Sequence, residues 1–443
     1  MKKLMWTCVL ALVAAATASA ADDELNQPLE CMKPYKFKAF GIAAFCFHNY
    51  PGTDYTLDYA KNLEAANFNV AIETGYMAQF YEKTKVKQIV SLMVSDTLKE
   101  KDVYGTKRTH PIEQGMSVAD AAKKYTSETV VGYQVGAKYG RAMPARLAAD
   151  AKAVEDLKAG VFPWIAHCSD VKGQAKAGVA ILSLETFGRL KHDGFGYDNK
   201  GWAHDKREDY CDWMESGRRM ANEANMAFWP MLPAATVSKG QGEAQGSLHG
   251  ASEIRFMVLA PIAYGAQGVV YFGYSTAREV WQTNGPSYAA ARDVNKLVAD
   301  VIGPRVLGHR SIGVYHSKPD APGNTKAKIM KSALIAGEGK LIEKMDDGLM
   351  AGVLVKEADF KSGANTPHYI MLIDARTAIL TGEDALKPRE VSLTFGPSVQ
   401  SAELIPAAGE EAKKFQREVK LTLRPADGRL IKLTMAPRTE EKK

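Results

Sequence analysis

Short apolar and β-branched runs alternate along the first two thirds of the chain with longer stretches whose apolar positions recur every three to four residues. Period two in a short run marks a strand, and period 3.6 in a longer one marks an amphipathic helix. On this pattern strands are predicted at 39–47, 67–73, 88–94, 130–136, 161–167, 178–186, 226–232 and 268–274, eight in all. Helices are predicted at 57–66, 118–125, 145–157, 209–225, 251–264 and 286–302, while the connections at 75–87 and 169–177 are reduced. Eight successive βα units, with no Gly-x-Gly-x-x-Gly after the first strand, predict an α/β fold of the (β/α)8 TIM barrel type rather than an open dinucleotide-binding sheet.

From about Gly308 the texture changes to short alternating runs at 311–316, 349–356, 368–373, 390–395, 419–423 and 429–433, separated by Gly, Pro and Asp turns and without a long amphipathic helix. This predicts a smaller antiparallel β-sandwich domain behind the barrel. The expected organisation is therefore a signal peptide over 1–20, a barrel over 21–306 and a sandwich over 307–437, followed by a charged tail expected to be disordered.

The signal reading comes from Met1-Lys2-Lys3, an apolar run over 4–18 and Ala18-Ser19-Ala20 before Ala21. That is the tripartite pattern of a cleavable export signal, with cleavage expected after Ala20 and a periplasmic, cell-surface or secreted product. The apolar run falls short of the roughly 20 residues that span a bilayer, and no later run is longer, so no membrane insertion is expected after cleavage. The formal charge of +6 comes from 57 Lys and Arg scattered among 51 Asp and Glu. Without a basic patch, and with export, no nucleic-acid partner is expected. Cys31, Cys46, Cys168 and Cys211 remain in the mature chain; export permits disulfides, the pairing is left open, and buried free thiols are the alternative. No Cys-x-x-Cys spacing exists and His48, His167, His192, His204 and His249 are scattered, so neither a metal nor a cofactor is expected. The Gly-rich loop 240–246 lacks the Lys-Ser/Thr of a phosphate cradle and is expected to be a mobile active-site loop, and no nucleophile elbow of a serine hydrolase is present. Oligomeric state is left open.

In a barrel of this kind chemistry sits at the C-terminal ends of the strands. Those ends carry His48, Asn49, Glu73, Asp96, Lys138, Arg141, His167, Asp170, Glu185, Trp229, Tyr271 and Tyr274. Strand parity sorts them: Ser183 shares the parity of Glu185, and Asn69 and Ala71 share that of Glu73, so both glutamates are expected to point inward. Asp96 has the opposite parity to Ser91 and Ser95 and is expected to face the helices or the loop. Glycosidic bond cleavage needs one carboxyl to protonate the leaving oxygen and another as nucleophile or base. Glu185 and Glu73 are accordingly the candidate catalytic pair, and His48, Asn49, Lys138, Arg141, His167, Trp229, Tyr271 and Tyr274 the candidate substrate contacts. Tyr50, Tyr76, Trp164, Trp202, Trp229, Tyr271, Tyr274 and Trp281, at or beyond strand ends, form a set of flat rings suited to stacking on pyranose faces.

Gly132-Tyr-Gln-Val-Gly136, the strand-five run Val161-Phe-Pro-Trp-Ile165, Ile254-Arg-Phe256 and the segment from Ala260 to Phe272 resemble secreted glycoside hydrolases of the large (β/α)8 clan, nearest to the β-galactosidase-like and cellulase-like groups. Leu349-Met-Ala-Gly-Val353 and Gly428-Arg-Leu-Ile-Lys432 resemble the β-sandwich that follows their barrel. The resemblance implies a glycan substrate. It also implies Asp-Glu-Pro after Gly-Tyr-x-x-Gly, where this chain has Ala137-Lys138-Tyr139 instead. Lysine, with a reference pKa of about 10.4, is a poor donor to a glycosidic oxygen. With Arg141 it suits an anionic group on an acidic or decorated glycan. Two readings stand: a glycosidase using Glu185 and Glu73, and a catalytically silent barrel that binds glycan. A weaker third is an enzyme with Tyr76 or Tyr271 as nucleophile on an anionic sugar.

Overall fold

A computed structural model of the 443-residue chain describes residues 27–46, 57–73, 76–92, 116–136, 144–166, 170–184, 210–233, 251–272, 286–317, 334–376 and 387–437. The expected export signal, Asp96, the Gly-rich loop and the charged tail lie outside the described residues.

The first two thirds form alternating strands and helices: β1 (Gly41–Cys46), α1 (Leu57–Ala65), β2 (Val70–Glu73), α2 (Ala78–Tyr81), β3 (Lys87–Ser91), α3 (Val118–Lys124), β4 (Val130–Gly136), α4 (Pro144–Glu155), β5 (Phe162–Ile165), α5 (Val171–Lys176), β6 (Ile181–Leu182), α6 (Tyr210–Ala224), β7 (Ala227–Phe228), β8 (Met231–Pro233), α7 (Ala251–Ala263), β9 (Gly268–Phe272) and α8 (Pro286–Leu297). The two reduced connections are the short helices α2 and α5. Seven strands make one sheet in the order β5-β4-β3-β2-β1-β9-β8, with every pairing parallel, and β6 pairs with β7 separately.

The single strand expected at 226–232 is broken into β7 and β8 at Trp229-Pro230, because proline has no N–H to give to a ladder. Its backbone still runs on as a link between the sheets. Ala227 N, Trp229 N and Met231 N donate to the carbonyls of Ala180, Leu182 and Leu184 at 2.7–2.9 Å, and Gln267 N and Val270 N donate to those of Phe228 and Pro230 at 2.9 Å. Among the described residues no ladder joins β5 to β6, and the strands make a curled parallel sheet.

Alternate residues divide between two cores. Ala43, Phe45, Val70, Ile72, Ile89, Val131, Phe162, Trp164, Ile181, Trp229, Met231 and Val270 pack together inside the curl. Ile42, Ala44, Ala71, Val90, Tyr133, Leu182, Leu184, Val269 and Tyr271 pack outward against the helices. One expectation is corrected here: in β2 the inward parity belongs to Val70 and Ile72, while Ala71 packs on the helix side. Asn69, of the same parity as Ala71, splints β1, its side chain accepting from Ile42 N at 2.8 Å and donating to Phe40 O at 2.7 Å.

The N-terminal end of the curl is stoppered by the segment before β1, whose Leu29, Met32, Tyr35 and Phe37 join the inner core. Beside them a cavity of about 10 Å³, room for roughly one water, borders the side chain of Gln267, whose Oε1 is buried without a partner among the described residues.

The C-terminal third has two sheets, in orders β11-β10-β13-β14-β19-β16-β17 and β12-β15-β18. Their strands are β10 (His309–His316), β11 (Leu334–Ile335), β12 (Ile342–Met345), β13 (Leu349–Lys356), β14 (Pro367–Asp374), β15 (Arg389–Phe395), β16 (Val399–Leu404), β17 (Lys413–Phe415), β18 (Glu418–Leu423) and β19 (Gly428–Met435). Residues of both sheets, among them Val353, Ile370, Leu393, Phe395 and Leu421, share one core, which makes the pair a sandwich. All pairings are antiparallel except β10 with β11, which is parallel.

The larger sheet turns its other face to α7. Met350, Leu354, Met371 and Ile373 share a core with Ile254, Val258 and Leu259, and a Cβ at Gly352 would stand 2.2 Å from the Ala263 carbonyl oxygen. This explains the sequence of α7: a helix apolar on all sides is one covered on all sides. Polar ties reinforce the joint. Buried Arg310 in β10 donates to Met226 O at 2.7 Å and to Asn225 Oδ1 and Glu357 Oε1 at 2.9 Å, while Glu357 Oε2 accepts from Glu30 N at 2.7 Å. One ion pair therefore holds the barrel stopper, the end of α6 and the sandwich together.

Candidate functional site

The C-terminal ends of the parallel strands carry a polar layer on the inner face. Ser91 at the end of β3 is in register with Gln134 of β4, and Gln134 with Trp164 of β5. All three are buried. Ser183, just beyond β6, is also fully buried, and with Ile181 in the inner core and Leu182 and Leu184 in the outer one its alternation faces inward. Phe45 and Phe272, at the ends of β1 and β9, stack at 5.6 Å, and Phe45 lies 5.8 Å from the Trp164 ring. Below this layer the inner core is aliphatic and aromatic down to the stopper. A hydroxyl, an amide and an indole at one level of an otherwise apolar interior are what a polar ligand needs, since buried polar groups cost free energy unless something bonds them. Ser183 Oγ and Trp164 Nε1 have no hydrogen-bond partner among the described residues.

The expected site residues fall out as follows. Glu185, His48, Asn49, Lys138, Arg141, His167 and Tyr274 lie outside the described residues. The Glu73 backbone pairs with Cys46 and Val90 at the strand end, and its side chain is also outside them. Trp229 is placed at the other end of the barrel. Its indole fills the space over Gly41 and Gly268, the first residues of β1 and β9, and packs edge-on against Phe37 and Phe162. It is a filler of the barrel floor, 1% exposed. Tyr271 stands on the helix side, where its hydroxyl donates to Asn295 Oδ1 at 2.7 Å and burial pushes its pKa up. Tyr76, the other tyrosine considered as nucleophile, donates to Thr126 O at 2.9 Å. Asp170 is the N-cap of α5, its Oδ1 accepting from Gly173 N at 3.1 Å. Gln134 was not singled out by sequence reasoning; the signal was there in Val130-Val-Gly-Tyr-Gln-Val-Gly136, one amide in a run that is otherwise apolar or glycine.

Among the cysteines described with side chains, Cys31 is a free thiol, and burial holds it up at about 11. A thiol so protonated is a poor nucleophile. Among the described residues no group of three or more His, Cys, Asp or Glu side chains is arranged to hold a metal ion, and no helix is long and apolar enough to cross a membrane.

No known family model matches the chain, and no curated protein matches it by sequence. Solved structures do. A GH27 β-L-arabinopyranosidase from Geobacillus stearothermophilus superposes with a TM-score of 0.50 at 10% identity, over 94% of this chain and 100% of that one. An α-galactosidase I from Mortierella vinacea gives 0.48 at 11% identity over 89% and 96%, and an Anoxybacillus α-amylase 0.48 at 12% identity over 90% and 98%. The first of these shows the fold alone: the chain shares its curled parallel α/β sheet followed by a β domain with that structure.

Proposed function

We propose that the chain is an exported glycoside hydrolase that acts on a glycan at the C-terminal ends of a closed (β/α)8 barrel spanning 21–306, with 307–437 as its buttressing sandwich. The observation that carries the reading is the inward polar layer of Ser91, Gln134, Trp164 and Ser183, set at the strand ends where barrel enzymes keep their chemistry. Glu185 follows Ser183 by two residues in the sequence and so shares its parity, which makes it the candidate carboxyl on which catalysis rests. Glu73, at the end of β2 and of the parity of Ala71, is the candidate second carboxyl. Lys138 and Arg141 hold an anionic group of an acidic or decorated glycan, alongside His48, Asn49, His167 and Tyr274.

The test is a hydrolysis screen on 4-nitrophenyl glycosides, plain and uronic or sulfated, comparing the wild type with Glu185→Gln. Loss of an acid/base group lowers turnover by about 10²–10⁴-fold. Equal turnover in the two proteins removes Glu185 from the mechanism. Ala137-Lys138-Tyr139, in place of the acid that the resemblance implies, favours the second reading, a barrel that binds glycan without cleaving it. That reading predicts retention on a glycan array with no hydrolysis by the wild type.

A further inference from the structure

We propose that Ser183 and Trp164 set the specificity of this site by receiving one uncharged hydroxyl group of the bound sugar at its deepest point; this rests on the carbohydrate reading above. Among the described residues few buried side-chain polar atoms go unpartnered, and only Ser183 Oγ and Trp164 Nε1 of these lie on the inner face at the C-terminal strand ends. The others lie elsewhere: on Gln174 in α5, on Gln267 beside the water-sized cavity at the stoppered end, and on Arg310 and His316 in β10. An orphaned buried donor is retained where something else supplies its partner.

The chemistry of the pair narrows what that partner is. An indole N–H only donates, whereas a serine hydroxyl donates or accepts. A sugar hydroxyl meets both: it accepts from Trp164 and exchanges a hydrogen bond in either sense with Ser183. The remaining described residues of the layer, Ser91, Gln134, Phe45 and Phe272, bring no charge, so no described residue there neutralises a carboxylate or sulfate. Phe45, tilted 45° to Trp164, offers an apolar wall to the C–H groups of a sugar ring.

The experiment measures kcat/KM for the 4-nitrophenyl glycoside that the wild type cleaves fastest and for its monodeoxy analogues, with wild type, Ser183→Ala and Trp164→Phe, alongside urea unfolding midpoints. We expect Ser183→Ala to lose about tenfold on the parent glycoside and nothing on the one analogue lacking the hydroxyl it receives. Trp164→Phe should show the same pattern on the same analogue. Ser183→Ala should not unfold at lower urea, since it removes only an unpartnered hydroxyl, whereas Trp164→Phe, which also shrinks a fully buried ring, should unfold at lower urea by an amount that does not depend on the analogue. Equal losses on every analogue, or no loss on the parent, overturn the inference while leaving the glycosidase reading in place. A wild type that cleaves no glycoside overturns both.

Discussion

Single side chains decide what each end of the barrel can do. Trp229 is the clearest case: a Cβ at Gly268 would stand 2.6 Å from its ring and one at Gly41 2.3 Å, so two glycines exist where they do because one indole needs their space. Gly268→Ala should cost about 1–3 kcal/mol by overpacking, and Trp229→Ala about 3–5 kcal/mol through the cavity it leaves. Trp229→Phe combined with Gly268→Ala should recover part of the first loss. Urea midpoints of the three variants check this, and strict additivity would show that the two residues are not coupled. The ring was legible in the sequence, but its height in the barrel was not, because alternation reports which face a side chain takes and says nothing of depth along the strand. The same limit hid the side of Tyr271.

Histidines behave as a second set of residue-scale devices. His316 is buried with Tyr264 as its hydrogen-bond partner at 3.2 Å, and burial holds its pKa down at about 4. His309, whose Nδ1 bonds Leu307 O and whose Nε2 meets His368 Nδ1 at 2.7 Å, is likewise held at about 4, mainly by burial. A folded-state value below the unfolded one of about 6.5 means that the unfolded chain binds more protons between the two, so stability falls as pH drops from about 6.5 towards 4. For His316 the loss is on the order of 3 kcal/mol across that window. Proton uptake on unfolding at pH 5, obtained from the pH slope of stability, should shrink by about one in His316→Gln; an unchanged slope would show that this histidine is not held neutral.

At the scale of elements, α7 carries the architecture. It has no polar face because the curled sheet lies on one side and the larger sheet of the sandwich on the other, with Gly352 letting β13 approach its last turn. Gly352→Ala drives a methyl into backbone rather than into a flexible side chain, so repacking offers little relief. We expect a loss of at least about 1–3 kcal/mol, seen as a lower thermal midpoint and not as a local change in the sandwich alone. α1, α3, α4, α6 and α8 were readable because apolar residues recur in them at 3.6, α7 as a long apolar run, and β1 to β5 because β-branched runs are bounded by turns; α2 and α5, of four and six residues, read only as reduced connections. Four C-terminal strands escaped. β11 and β17 are only two and three residues long, too short for alternation to register, while β12 and β16 interleave charge and glutamine with their apolar positions. In β2 small Ala71 read as an inner residue, whereas small residues here let a helix come close.

On the scale of the molecule, three layers are stacked in one direction: the stoppered curl, the shared helix and the sandwich, tied by the Arg310–Glu357 pair. At the C-termini of the strands the described interior turns polar. The fold was legible as a pattern, whereas the pairing of residues into a site depends on segments joining the strands, which no periodicity encodes. The account places the sugar at that end and nowhere else. Its most direct test is a crystal structure of Glu185→Gln soaked with the glycoside that the wild type cleaves fastest. The account predicts a sugar ring whose hydroxyl lies within about 3 Å of Ser183 Oγ and Trp164 Nε1; a sugar bound on the sandwich, or at the stoppered end near Trp229, would contradict it.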